Sequence, residues 1–158
     1  MKVDGYGWWM RRLQACMDLY DVLRIDHFRG FESYYAIPAD SETAMRGEWR
    51  PGPGMDFIGA VNRQLGEKAQ IIAEDLGCLT PHVRRLLRES GYPGMKVLLF
   101  ALDAREGSDY RPHNYHRHCV VFTGTHDNNT VQGWFAEAPR DDVQMAREYL
   151  DIRDISDG

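Results

Sequence analysis

Val22-Leu23-Arg24-Ile25-Asp26 is the first of three short apolar segments in this chain that each end in an acid. The other two are Gln70-Ile71-Ile72-Ala73-Glu74 and Val120-Val121-Phe122-Thr123-Gly124-Thr125-His126-Asp127. Short runs rich in valine and isoleucine are typical of strands buried on both faces, as in a parallel sheet. Because a carboxylate is costly to bury, we expect each acid to lie at a strand end that faces a cleft. Three such acids predict one active site assembled from distant parts of the chain.

The segments around these strands predict an alternating order of helices and strands. Apolar residues at helical spacing, or a capping signal such as Thr80-Pro81 with Gly91 at the far end, predict helices over 9–20, 57–65, 81–90 and 141–150. Strands are predicted at 22–26, 70–74, 96–100 and 119–123, with a long loop over 28–54. Regular alternation predicts an α/β fold with parallel strands and helical crossovers. A (β/α)₈ barrel needs about 250 residues. Two folds are therefore compatible with the pattern: about half of such a barrel, or a small open doubly wound sheet.

Composition limits the class of protein. The 158 residues are 43% hydrophobic and 27% charged, which is ordinary for a globular domain. The formal charge of −5 argues against nucleic acid as the partner, and no apolar run approaches the roughly 18 residues of a membrane span. Cys16, Cys78 and Cys119 lack the spacing of metal ligands, so we expect reduced, mostly buried thiols in a cytoplasmic protein.

The first two acids have surroundings that suit different roles. Arg24 and Asp26 are two apart on a strand and share a face, and a neighbouring guanidinium favours the ionised carboxylate that a nucleophile needs. Glu74 follows apolar residues and precedes Asp75, and both surroundings favour the protonated form that a general acid needs. The structural alternatives are an ordinary Arg–Asp ion pair at Asp26 and a helix cap at Glu74 or Asp75.

Asp26, Glu74 and Asp127 together predict glycosidic chemistry. Retaining enzymes use a carboxylate nucleophile and a carboxylic acid about 5–5.5 Å apart and pass through a covalent glycosyl-enzyme. Aromatic side chains would supply flat apolar platforms for sugar rings, although most are by themselves more typical of core or loop anchors. The candidates are Trp8, Trp9, Phe28, Phe31, Tyr34, Tyr35 and Trp49, of which Trp49 is the strongest.

The segment Thr123–Thr130 is dense in hydrogen-bonding side chains, which is unusual for a structural loop. We expect His126 to donate to a sugar hydroxyl and Asp127 to accept from two. A metal site that uses these residues with the histidines at 113, 116 and 118 is the weaker alternative, because the spacing lacks a helical or facial-triad pattern. The three histidines are expected to lie on a solvated loop.

Four motifs resemble, in the same order, those of the amylomaltases, the 4-α-glucanotransferases or disproportionating enzymes of glycoside hydrolase family 77. They are Arg24–Phe31, Trp49 followed by Gly52-Pro53-Gly54, Ile72–Gly77 and Thr123–Asn128. A generic relative of the α-amylases would share the Arg-x-Asp and His-Asp elements but not Arg29-Gly30-Phe31 or Gly52-Pro53-Gly54.

The resemblance implies a role for each acid. Asp26 would be the nucleophile after barrel strand 4, Glu74 the acid/base after strand 5, and Asp127 the third acid after strand 7, where it holds sugar hydroxyls. The substrate-binding residues expected from these motifs are Arg24, His126, Trp49, Gly54 and Asn128. The implied reaction cleaves an α-1,4-glucan and transfers the piece to the 4-hydroxyl of another maltooligosaccharide. No metal or organic cofactor is implied.

The resemblance also implies a larger protein. Family members carry strands 1 to 3 before this region and strand 8 after it. Residues 1–158 are therefore expected to be a fragment of the catalytic (β/α)₈ barrel, about strands 4 to 7, and to be inactive alone. Two other interpretations stay open: a retaining α-glucan hydrolase of the α-amylase clan, and a non-catalytic carbohydrate-binding fragment.

Overall fold

The computed structural model describes residues 2–66, 70–77, 79–105 and 109–152. The chain forms two compact units, residues 1–95 and 96–158. Cys78 lies outside the described residues. Cys16 and Cys119 are free thiols and are half-buried, which is less burial than expected from the sequence. In the described ranges, no helix has both the length and the apolar character needed to cross a membrane.

The first unit contains most of the predicted elements. Its helices are α1 (Gly7–Met17), α2 (Gly54–Leu65) and α3 (Pro81–Ser90), and its strands are β1 (Leu23–Ile25), β2 (Ser33–Ala36), β3 (Glu48–Pro51) and β4 (Ile71–Ala73). β1 and β4 pair in parallel with the register Leu23↔Ile71, Arg24↔Ile72 and Ile25↔Ala73. The predicted parallel pairing of the first two acid-ending segments is therefore confirmed.

The core of the first unit is aromatic. Phe28, Phe57 and Val61 are fully buried. The rings of Phe31 and Phe57 stack with centroids 4.6 Å apart, and Tyr6 meets Phe57 edge-on at 5.3 Å. These contacts join α1, α2 and the turn after β1, so the chain that follows β1 is fixed by apolar packing.

The predicted limits of α3 are confirmed. Thr80 is the N-cap, and its Oγ1 accepts a hydrogen bond from the Val83 backbone N–H at 3.3 Å, while Pro81 occupies the first turn. The helix ends at Ser90, and Gly91 follows in the left-handed region with φ 74°. A glycine reaches this conformation without the steric cost that other residues meet.

The predicted loop over 28–54 is wrong, because it contains a β-hairpin. β2 and β3 pair antiparallel from Ser33↔Pro51 to Ala36↔Glu48. Every β3 residue is exposed, and β2 is exposed or half-buried. A hairpin without a buried face leaves no apolar alternation in the sequence, which is why the pattern did not reveal it.

The second unit differs from the predicted strand and helix limits. The strand expected at 96–100 begins earlier, as β5 (Gly94–Val97), and the chain then turns into a 3₁₀ helix over Leu98–Ala101. β5, which crosses the division between the units, pairs with β6 (Cys119–Phe122). Two helices follow, the unpredicted α4 (Val131–Glu137) and the predicted α5 (Arg140–Tyr149). An apolar run such as 97–102 is compatible with strand or helix, so periodicity did not locate the change.

The α/β class is confirmed, whereas one continuous parallel sheet is not present in the described part of the chain. The strands there form three two-stranded sheets, β1–β4, β2–β3 and β5–β6.

Gly52 tests the contact that anchors the hairpin. Its N–H donates to the Glu32 carbonyl at 2.7 Å, and a Cβ at this position would overlap the Phe31 carbonyl group. We expect Gly52→Ala to lower the free energy of unfolding by about 1–3 kcal/mol, measured by urea denaturation, because the hairpin must move away from this turn. Gly59→Ala in α2 is the control, since its Cβ would meet only the flexible Arg63 side chain at 3.3 Å. Because alanine favours a helix more than glycine does, Gly59→Ala should be neutral or stabilising by up to about 1 kcal/mol. An equal loss of unfolding free energy in both variants would show that the close approach at Gly52 does not anchor the hairpin.

Tyr92 gives the fold a dependence on alkaline pH. Its hydroxyl donates to Asn62 Oδ1 at 2.7 Å, and burial raises the pKa of Tyr92 from 10.0 to about 12. Because the unfolded chain releases this proton first, the stabilising contribution is complete below pH 10 and is lost as the pH rises to about 12. We expect Tyr92→Phe to flatten the alkaline fall in stability, measured by urea unfolding at several pH values. Tyr20→Phe, at a position 61% exposed, should leave that fall unchanged.

Candidate active site

The carboxyl ends of β1 and β4 bring the first two predicted acids side by side. Ile25 and Ala73 are the last residue pair of the parallel ladder, and Asp26 and Glu74 are the next residues on each strand. The Glu74 N–H donates to the Ile25 carbonyl at 2.9 Å, and the Phe28 N–H donates to the Glu74 carbonyl at 3.0 Å. Backbone hydrogen bonds thus continue past the ladder and hold the two chain segments together at the position of the acids.

Asp26 is held by Arg24. The Arg24 Nη2 donates to Asp26 Oδ1 at 2.7 Å, and its Nη1 points to the Met95 sulfur at 3.6 Å. The Arg24 side chain is 31% exposed and the Asp26 side chain 74%. The guanidinium is thus anchored on the protein side, while the carboxylate is open to an approaching ligand. An exposed ion pair contributes little to stability, so its main consequence is the orientation of Asp26.

Glu74 is held by the backbone. Its Oε2 accepts from the His27 N–H and its Oε1 from the Leu76 N–H, both at 2.7 Å. His27 has φ 47°, a left-handed conformation that non-glycine residues seldom adopt, and it begins the 3₁₀ turn Phe28–Phe31. This turn aims the His27 N–H at the carboxylate. The alternative that Glu74 caps the following helix is wrong, because Thr80 caps α3.

Asp75 and Met95 lie beside these acids, although the sequence indicates Asp75 only as a neighbour of Glu74 or a helix cap and does not indicate Met95. Asp75 is buried, and its Oδ1 accepts from the Met95 N–H at 2.6 Å. It therefore joins the end of β4 to β5 and does not cap α3. The available signal was an aspartate directly after a strand end, in a position where burial requires a partner.

Trp49 lies on the exposed hairpin, with 58% of its surface accessible. The Arg29 guanidinium lies 4.5 Å from its ring centroid, and the Tyr35 ring centroid is at 5.5 Å. Gly54 begins α2 with φ 53°, and a Cβ there would meet nothing within 4 Å. A flat ring that contacts an arginine and a tyrosine and keeps more than half of its surface exposed can stack against an apolar sugar face.

The other aromatic candidates divide by exposure. Phe28 is fully buried and is therefore a core residue and not a platform. Trp9 and Phe31 are half-buried, and they pack against the core and also line a cavity. Trp8, Tyr34 and Tyr35 are exposed, by 51%, 46% and 40%. A cavity of about 660 Å³ lies beside the hairpin, and its walls include Tyr34 and Gly52.

The remaining predicted residues lie in the second unit, on the turn after β6. Asn128 Oδ1 accepts from both the backbone N–H and the hydroxyl of Thr125, at 2.8 and 3.0 Å. Asn128 therefore braces the turn. His126 Nε2 lies 3.3 Å from Asp127 Oδ2, and these side chains are 75% and 79% exposed. The turn presents both groups to solvent, where they can exchange hydrogen bonds with a ligand.

The metal alternative has no support in the described ranges, where no three side chains of the types that bind metals form a cluster. His113, one of its candidate ligands, instead has its Nδ1 2.8 Å from the Tyr149 hydroxyl. His113, His116 and His118 are exposed, as predicted for a solvated loop.

Carboxylates at the ends of neighbouring parallel strands define an α/β protein with an acidic candidate site. Known proteins are similar in sequence to this chain over 95% of its length. The family model described as 4-alpha-glucanotransferase, glycoside hydrolase family 77, matches residues 1–157. The chain is 48% identical over 151 residues to the 4-alpha-glucanotransferase of Synechocystis sp. and 50% identical over 151 residues to that of Streptococcus pneumoniae. It is also similar in structure to the amylomaltase from Streptococcus agalactiae in complex with acarbose, with a TM-score of 0.87 and 38% identity.

The chain therefore belongs to the 4-α-glucanotransferase family, and the resemblance inferred from its four motifs is confirmed. The alignments cover 95% of this chain but 30% and 29% of the Synechocystis and Streptococcus pneumoniae proteins, and 30% of the amylomaltase chain. The chain thus spans about 30% of the length of these three relatives.

Proposed function

We propose that this chain is part of the catalytic domain of a 4-α-glucanotransferase, which transfers α-1,4-glucan segments between maltooligosaccharides. The proposal depends on one observation, the parallel register of β1 and β4, which makes Asp26 and Glu74 neighbours at the carboxyl ends of these strands. The match to the family model gives this pair of acids its meaning. The names of the relatives support the reaction, and the acarbose complex of the amylomaltase supports a carbohydrate ligand.

The proposed mechanism is a double displacement with retention. In the first step an oxygen of Asp26 forms a bond to the anomeric carbon, the glycosidic bond breaks, and Glu74 gives its proton to the leaving glucan oxygen. In the second step Glu74 takes the proton of an acceptor 4-hydroxyl, that oxygen bonds to the anomeric carbon, and Asp26 leaves. Arg24, whose Nη2 lies 2.7 Å from Asp26 Oδ1, orients the nucleophile.

The remaining roles are proposals on the same basis. Asp127 would hold sugar hydroxyls and stabilise the transition state, and His126 would donate to a hydroxyl, because both side chains are exposed on the turn after β6. Trp49 would stack against a sugar ring. Gly54 and Asn128 would shape the site through the backbone, Gly54 at the start of α2 and Asn128 by bracing its turn.

We further propose that β1, β4, β5 and β6 are strands 4 to 7 of a (β/α)₈ barrel, so that residues 1–158 form part of one catalytic domain. The share of the relatives that the chain covers supports this assignment. The isolated chain would be inactive, because it corresponds to about 30% of the length of the enzymes that it resembles. The cytoplasmic location stays a prediction, and the relative from Arabidopsis thaliana is named chloroplastic/amyloplastic.

Incubation with maltotriose tests the transfer reaction. We expect the longer protein that contains this chain to form glucose together with maltodextrins longer than maltotriose, whereas residues 1–158 alone form neither. Asp26→Asn should lower kcat by about 10⁴-fold or more, because it removes the nucleophile. Asp21→Asn removes an exposed acid before β1 and should leave turnover unchanged. Glucose without longer products would favour a hydrolase, and unchanged turnover in Asp26→Asn would favour a different nucleophile.

A matched pair of tryptophans tests the sugar platform. Trp49 and Trp8 are similarly exposed, by 58% and 51%, and each lies under an arginine, Arg29 at 4.5 Å and Arg12 at 5.6 Å. We expect Trp49→Ala to weaken maltooligosaccharide affinity about tenfold or more, the loss of roughly 1.4 kcal/mol of stacking, and Trp8→Ala to leave it unchanged. Isothermal titration calorimetry of the longer protein measures both. Equal effects of the two changes would contradict the assignment of Trp49.

A further inference from the structure

Asp75 is a buried carboxylate that the proposed mechanism does not use. Within the described residues, the buried polar side chains are Asp75 and Ser90, which are 6% and 5% exposed. Burying a carboxylate is costly unless hydrogen bonds compensate. Asp75 Oδ1 accepts from the Met95 N–H at 2.6 Å, a short bond of the charge-assisted kind. A Cβ on Gly94 would lie 2.8 Å from each carboxylate oxygen, so the glycine lets β5 approach this group.

Met95 connects this buried group to the nucleophile. Its backbone is held by Asp75, and its side chain is 2% exposed, with the sulfur 3.6 Å from Arg24 Nη1. The other end of the Arg24 guanidinium donates to Asp26 Oδ1 at 2.7 Å. A continuous series of contacts therefore runs from Asp75 through Met95 and Arg24 to Asp26.

Asp75 is also bonded covalently to the proposed acid/base. It directly follows Glu74, whose Oε1 accepts from the N–H of Leu76, the residue after Asp75. A shift of Asp75 would therefore move the Glu74 backbone on one side and, through Met95, the Arg24–Asp26 pair on the other.

We propose that Asp75 is a positioning residue that sets the relative placement of Glu74 and Asp26, a role that rests on the proposed transferase function. The thioether of Met95 is a weak hydrogen-bond acceptor. The sulfur contact therefore acts mainly by filling the space against which Arg24 rests. Because a misplacement of about 1 Å between reacting groups can cost up to 100-fold in rate, Asp75 affects catalysis without touching the substrate.

The test compares three variants in the longer protein that contains this chain. Steady-state kinetics are measured per active site, titrated by the burst of leaving group from an aryl maltoside donor. We expect Asp75→Ala to lower kcat by about tenfold to a hundredfold with little change in KM. Asp75→Asn keeps an oxygen acceptor for the Met95 N–H and should recover most of the rate. Ser90→Ala is the matched control, since Ser90 is similarly buried and its Oγ accepts from the Tyr92 N–H at 3.1 Å and donates to the Leu87 carbonyl at 2.7 Å. It should lower stability and leave kcat per site unchanged.

A double-mutant cycle tests the route through Arg24. Met95→Ala removes the side-chain volume against which Arg24 rests. We expect this change to lower kcat severalfold when Arg24 is present. In an Arg24→Lys background it should have no further effect, because the change acts through the guanidinium. Additive effects, or a full kcat per titrated site in Asp75→Ala, would overturn the proposal. If Asp75→Ala does not fold, Gly94→Ala replaces it, because the added methyl group displaces the Asp75 carboxylate without removing it. An unchanged kcat per site in Gly94→Ala would then overturn the proposal.

Two outcomes separate this proposal from the proposed function. If the unchanged longer protein forms no transfer products from maltotriose, the proposed function fails. The position of Met95 is then followed by the resonance of its labelled methyl group, assigned through Met95→Leu. That resonance should shift in Asp75→Ala and keep its place in Ser90→Ala, and the absence of a shift in Asp75→Ala overturns the link between Asp75 and Met95.

Discussion

The parallel pairing of β1 with β4 is the constraint on which the candidate site depends. The register Ile25↔Ala73 makes Asp26 and Glu74 neighbours, and two backbone hydrogen bonds beyond the ladder keep them so. Side chains alternate between the two faces of a strand, so a slip of one residue would turn one acid away from the other. Ile25 and Ala73 are buried, and the register is therefore fixed by apolar packing rather than by the acids themselves. The positions of the two proposed catalytic acids are thus set by buried apolar residues that have no proposed role in the reaction.

Much of this arrangement could be predicted from the sequence, because its causes are local. β1 and β4 are short apolar runs, which are strongly typical of buried parallel strands, and an acid at the end of each is visible by inspection. The limits of α3 can be predicted to the residue, since Thr80 caps the start of a helix and Gly91 favours its end. The turn after β6 was identifiable by its density of polar side chains. What these features share is a signal contained within a few neighbouring residues.

The features that escaped prediction depend on contacts between distant residues or on surfaces without a pattern. The hairpin β2–β3 has no buried face, so no alternation marks it. The change from β5 to a 3₁₀ helix at Leu98 lies inside one apolar run. Asp75 and Met95 meet across 20 residues of sequence, and neither residue type alone points to the other. The hydrogen-bond partner of a buried carboxylate is determined by the tertiary structure. The sequence alone therefore does not show whether such a group caps a helix, pairs with a cation or joins two strands.

The two proposed catalytic carboxylates are held in different ways, and the difference suits their roles. Glu74 is held by two backbone N–H groups, one of them presented by the left-handed residue His27. Each carboxylate oxygen has two lone pairs, so an oxygen that accepts a backbone N–H can still carry a proton. A backbone clamp therefore keeps an acid/base in one place through both halves of a double displacement. Asp26 is instead held by the side chain of Arg24 and is 74% exposed, so it can move toward a carbon and away again. Arg24 in turn rests on Met95, whose backbone N–H is bonded to the buried Asp75, so the support of the proposed nucleophile begins in the core.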